Sequence, residues 1–150
     1  MTESSIIQIF AGLIGSIGFA VLFNIHGKRL VAAGVGGGLA WLLFTVANIH
    51  ITNEAICYFL VSFVISIYSE ICARVFKTPT TAFLTVSLIP LIPGASLYYT
   101  MAYAFDGEAE MFIQKAFFTL QLASALALGI IATTAIIRIL NKTVFIKRHS

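Results

Sequence analysis

Few side chains in this sequence can do chemistry, so those that can are quickly found. Glu70, in SEICAR, is the one acidic residue inside an apolar stretch, and Arg74 follows one helical turn later. A carboxylate in hydrocarbon is expensive unless paired, which makes it a default candidate for coupling or gating. The order Glu then Arg at i, i+4 is favourable on a helix, and Arg74 is close enough to the end of the stretch to reach headgroups. Tyr58, Ser62 and Ser66 precede Glu70 at the same spacing, so a polar stripe leads toward the pair. A salt bridge that merely fixes the helix against the next loop fits the residues equally well.

A second constellation is SLIPLIPGAS, inside an apolar run from Thr80 to Phe105. Pro90 and Pro93 lack N–H groups, so the carbonyls of Val86 and Ile89 are expected to lose their helical partners, with the chain unwinding over 89–93. Pro93 followed by Gly94 suits the start of a new helix, whose amides at Gly94, Ala95 and Ser96 would point into the break with partial positive charge. A helix terminus of this kind can hold a carboxylate, and unwound carbonyls can take a cation or an ammonium group. Pro90, Pro93, Gly94, Ala95 and Ser96 are therefore the candidate substrate-binding residues.

Other chemistries find little support. A nucleophilic Ser96 needs a base, but His26 and His50 fall in expected loops and His149 in the tail, so an enzyme is not expected. Cys57 and Cys72 lie 15 residues apart on one expected helix, about 22 Å, too far to pair. No Cys/His cluster has metal-ligand spacing, so neither a metal nor a cofactor is expected.

These residues must be held by elements that cross a bilayer. With 59% hydrophobic and 10% charged residues among 150, the chain cannot cover a soluble surface. Lys and Arg are scattered with no basic stripe among aromatics, so nucleic acid is excluded as a partner. Five apolar segments reach spanning length, at about 4–23, 30–48, 55–73, 80–105 and 116–140. The first has Glu3 and no basic residue before its apolar run, so it reads as a retained helix rather than a signal peptide. Nothing separates the spans into domains, and residues 1–150 are expected to form one transmembrane domain.

Charge placement orients them. Lys28, Arg29, Arg74, Lys77, Arg138, Lys142, Lys147 and Arg148 fall in alternate connections, which the positive-inside rule makes cytoplasmic. The opposite set holds Glu3, Glu54, Asp106, Glu108 and Glu110, with Lys115 its single cation. The pattern requires the broken fourth segment to cross once. The expectation is an all-α membrane protein with N-outside, C-inside topology and the fourth of five helices broken at SLIPLIPG.

Helices in lipid associate through small residues. Gly12, Ser16 and Ala20 recur at i+4 on the first helix, Ala32, Gly36 and Ala40 on the second, and Ala125, Gly129 and Thr133 on the fifth. The segment GVGGGLAW, with Gly36 and Gly37, is either a close-packing face or a flexible, unwound stretch.

The stretch SEICARVFKTPTTAFLTVSLIPLIPGASLYYTM, with GFAVLFN at 18–24 and the glycine-rich lead to Trp41, resembles the threonine/serine exporter family (ThrE type). The resemblance covers nearly the whole chain. It is similar to the short subunit equivalent to the C-terminal five-helix half of that family, and the motif positions fall on Asn24, Glu70, Arg74, Pro79, Pro90, Pro93 and Gly94. The resemblance implies a larger companion subunit, hence a hetero-oligomer in a prokaryotic cytoplasmic (inner) membrane. It also implies export of threonine and serine, with small carboxylates compatible with the break, by alternating access between inverted halves. A homo-oligomeric pore and a purely structural membrane subunit are the competing readings.

Overall fold

The computed structural model describes the main chain over residues 3–148 and side chains over 7–141. Six α-helices follow one another: α1 (Glu3–Leu22), α2 (Lys28–His50), α3 (Glu54–Phe76), α4 (Thr80–Leu88), α5 (Gly94–Phe105) and α6 (Ala109–Arg148), with a 3-10 turn at Ile89–Leu91 between α4 and α5. Among the described residues there is no strand.

Three of the helices, α1, α3 and α5, stop where the sequence supplies a residue for the left-handed region. Asn24 (φ 59°) closes α1, with its own amide on Val21 O and the amide of Ile25 on Ala20 O, both at 2.9 Å. This is a Schellman ending, in which asparagine tolerates the positive φ that most side chains resist. Lys77 (φ 51°) ends α3 with Thr78 N–H on Ala73 O at 3.0 Å, and Gly107 (φ 75°) follows α5 with Glu108 N–H on Tyr103 O at 3.0 Å. Asn53 caps α3, its side chain accepting from Ala55 N–H at 3.0 Å.

Helix α4 lies between α2 and α3, α1 packs on the outer side of α2, and α6 packs on α3. Helix α5 leans away and packs on α6. The core falls in two clusters. One gathers Ala20, Ala33, Cys72, Phe83 and Val86, and the other Ala40, Val61, Ile65, Leu91 and Leu122.

Glycines set the closest approaches. Helix α2 is continuous through GVGGG, so the unwound reading of that segment does not hold. A Cβ on Gly37 would collide with Ser16 of α1, one on Gly36 with Ser87 of α4, and one on Gly129 with Ser62 of α3. The Oγ atoms of Ser16 and Ser87 are buried without a conventional partner. They occupy the space against the glycine Cα, where C–H···O contacts recur between close helices. A helix with glycine at 36, 37 and 38 remains continuous here, with each missing side chain replaced by a neighbour's.

Among the described residues, three helices are long and apolar enough to cross a membrane: Lys28–His50, Glu54–Phe76 and Ala109–Asn141. The pair Thr80–Leu91 and Gly94–Phe105, bent by 58°, makes a fourth if it is one span. Helix α1 contributes a shorter apolar helix over Ile7–Leu22. The expected first span, 4–23, begins in a turn whose side chains lie outside the described residues. The observed helices outrun the apolar segments because hydrogen bonding continues into polar residues; α6, at 40 residues, is about 60 Å long, twice a hydrocarbon core.

Candidate functional site

The interruption at SLIPLIPG is narrower than two prolines suggest. The carbonyls of Val86 and Ile89 are not left bare, as expected above. Ile89 N–H takes the first, and Ile92 N–H takes the second at 3.2 Å, so the chain tightens into i→i+3 bonds where proline cannot serve i→i+4. Pro93, at φ −74° and ψ 57°, then makes an inverse γ-turn in which Gly94 N–H donates to Ile92 O at 2.6 Å. The Gly94 amide is therefore occupied, a second correction. Leu97 N–H closes the first turn of α5 on Pro93 O at 3.0 Å, which leaves the amides of Ala95 and Ser96 without a main-chain acceptor among the described residues.

Pro90 and Pro93 are half-buried, Ser96 likewise, and Gly94 and Ala95 are exposed. Pro90 rests on α1, where a Cβ on Gly12 would touch both its ring at 3.6 Å and Trp41 Cβ at 3.4 Å. The start of α5 thus opens on the outside of this chain rather than into its core. Beyond it, Thr100 donates to Ser96 O at 2.8 Å, and its hydroxyl oxygen stands 3.2 Å from that of Thr119 on α6. Thr100 is the buried residue of α5, while Leu97, Tyr98, Tyr99 and Met101 are exposed.

The second constellation is more connected than the sequence implied. Arg74 Nε donates to Glu70 Oε1 at 3.0 Å. Thr80 Oγ1 donates to Glu70 Oε2 at 2.7 Å, and Arg74 Nη2 donates to Asn141 Oδ1 at 3.1 Å. One carboxylate and one guanidinium therefore tie together the last turns of α3, the first residue of α4 and the far part of α6. Pro79 makes this possible, since it is extended (φ −57°, ψ 137°), precedes α4 and sets Thr80 in its first turn. Thr80 and Asn141 were missed in the sequence reading. Thr80 had a local signal, a hydroxyl directly after a helix-starting proline; Asn141 is 67 residues from Arg74 and had none.

The polar stripe on α3 does not run on to Glu70. Ser62 donates to Phe59 O at 3.0 Å and Ser66 to Ser62 O at 2.6 Å, while Tyr58 meets Phe44 edge-on at 5.1 Å between ring centroids. Those hydroxyls are spent within the helix and its packing. Nor do the two constellations meet. The nine residues of α4, about 14 Å, separate Thr80 from the 3-10 turn.

In a comparison with family models, the model described as "Threonine/Serine exporter, ThrE" matches residues 8–136. The chain belongs to the threonine/serine exporter family. No curated protein and no solved structure matches it. Membership and the apolar helices make this a multi-pass membrane protein with a threonine/serine exporter-type transport role. Several of the residues singled out in the sequence acquire physical meaning from the geometry. Asn24 closes α1, Gly36 and Gly37 admit α4 and α1 against α2, and Pro79 delivers Thr80 to Glu70. Pro90 and Pro93 make the bend, and Gly94 opens α5.

Proposed function

We propose that this chain is one half of a split secondary transporter that exports threonine and serine, or small carboxylates, across a prokaryotic cytoplasmic membrane together with a larger companion subunit. The observation that carries the reading is the exposed start of α5. At membrane depth the amides of Ala95 and Ser96 cannot be left to lipid, because each unpaired group there costs several kcal/mol. A companion half facing the break, with a substrate carboxylate on the amides between the halves, satisfies them.

In this arrangement α4 and α5 form a single bent crossing, the fourth of five, with the N-terminus outside and the C-terminus inside. The charge alternation along the chain supports it. Pro90 and Pro93 hold the bend, Gly94 keeps the approach to α5 free of a side chain, and Ala95 and Ser96 present N–H groups. The Glu70–Arg74 pair, tied to Thr80 and Asn141, acts as a latch at the cytoplasmic end. Ion binding at Glu70 would compete with Arg74 and Thr80 for the carboxylate, loosen the start of α4 and let one half rock against the other.

Export from cells loaded with radiolabelled amino acids and dicarboxylates, with and without the companion subunit, tests the reading. Export of threonine and serine that needs both chains is the expected result. Flux through this chain alone in proteoliposomes would replace it with a homo-oligomeric pore. Full export after substitution of Pro90, Pro93 and Gly94 would leave the chain a structural role.

A further inference from the structure

A groove of about 550 Å³ runs between α3 and α6 on the face away from α1 and α2. Its walls are Phe63, Ile67 and Ile71 from α3 and Ile136, Ile137 and Leu140 from α6, and its mouth is Glu70, Arg74 and Asn141. From Phe63 to Arg74 the groove follows eleven residues of helix, about 16 Å, close to the hydrocarbon depth of one leaflet. The polar mouth is at the end of α3 that carries Arg74 and the Lys77 cap, the end that the basic residues assign to the interface. An apolar channel one leaflet deep that ends in paired charges at the interface has the shape of a phospholipid site.

The charges choose the lipid. The Arg74 side chain is 56% exposed, and neither of its bonds uses Nη1, so a phosphate can take that nitrogen. Glu70 is 24% exposed and offers further lone pairs beside the two bonds it accepts. A headgroup with a phosphate and a primary ammonium matches both signs. Phosphatidylcholine has the same charges but no N–H to donate, and phosphatidylglycerol leaves the carboxylate facing a net anion. We propose that the α3–α6 groove binds an aminophospholipid, phosphatidylethanolamine, with its phosphate on Arg74, its ammonium on Glu70 and an acyl chain along the isoleucine walls.

The test uses the full chain, purified in detergent and stripped of lipid, with thermal unfolding followed after adding defined phospholipids and bound lipid counted by native mass spectrometry. Phosphatidylethanolamine is expected to raise the midpoint by about 4 °C more than phosphatidylcholine. The N-methyl and N,N-dimethyl forms should fall between them in order of remaining N–H groups. Glu70→Gln should erase the difference, and Ile71→Trp, which obstructs the wall and leaves the ion pair in place, should lower retention of every phospholipid. Equal shifts across the methylation series would overturn the proposal, and that series needs no variant to fold. A preference surviving in Glu70→Gln would also overturn it, as would loss of the lipid response when the companion subunit is added, which would make the groove a protein interface.

Discussion

At Gly37 the side chain is absent because Ser16 already fills its place, and the same holds for Gly36 with Ser87 and Gly129 with Ser62. Alanine is the better helix former by about 1 kcal/mol, so substitution at a glycine with open space should stabilise. Gly18 is such a position, with no heavy atom within 4 Å of a built Cβ. Gly37→Ala should instead lower stability by about 1–3 kcal/mol, since Ser16 and the Gly12 carbonyl, 3.3 Å away, must both give. Thermal melts of the two variants in one detergent should move in opposite directions. Glu70 allows a second comparison at this scale. Its bond from Thr80 is to a charged acceptor and is partly shielded, whereas the Arg74 side of the pair is largely solvated and adds little by itself. Thr80→Val should therefore cost about 1 kcal/mol and reduce export, while Thr80→Ser, which keeps the hydroxyl, should restore both.

The interruption between α4 and α5 is a property of the element rather than of either proline alone. Pro90 forces the 3-10 turn and Pro93 the γ-turn, and together they produce the 58° bend. Alanine at both positions supplies the N–H groups and removes the ring clashes that bar a continuous helix through 89–93. The double variant Pro90→Ala, Pro93→Ala is expected to straighten the pair, keep its stability and lose about tenfold or more in export, read as initial efflux of labelled threonine. Unchanged efflux from a correctly assembled complex would remove the bend from the mechanism. The position of this break was legible because proline acts locally, on the carbonyls three and four residues before it. Its bonding was not legible, because tightening to i→i+3 depends on how the packing of Pro90 against Gly12 of α1 holds the chain. Likewise the i, i+4 spacing gave the Glu70–Arg74 pair, while Thr80 and Asn141 reach it only through the packing of α4 and α6 on α3. The polar stripe misled for a related reason: a hydroxyl on a helix can return to its own backbone, as Ser62 and Ser66 do.

At the scale of the whole molecule, a bent pair that crosses the membrane and one that turns back invert everything after Phe105. If α4 and α5 cross, the turn at Asp106–Glu108 is on the side opposite Lys28 and Lys77, and α6 returns with its basic end inside. If they turn back, the acidic turn joins those lysines and Arg138 is carried outside, against the positive-inside rule. Single cysteines at Lys28 and Glu108, both exposed, distinguish the cases; Gly107 is avoided because its φ of 75° would strain any substitute. Cys57 and Cys72 are buried and can be changed to alanine to remove background labelling. With an impermeant maleimide added to intact cells, Glu108→Cys should label at once and Lys28→Cys only after permeabilisation. The reverse at Glu108 would place the start of α5 in a re-entrant hairpin. Half of α6 would then be on the wrong side for the charge pattern, and the inverted-halves arrangement would fail with it, because that arrangement needs an odd number of crossings in each half.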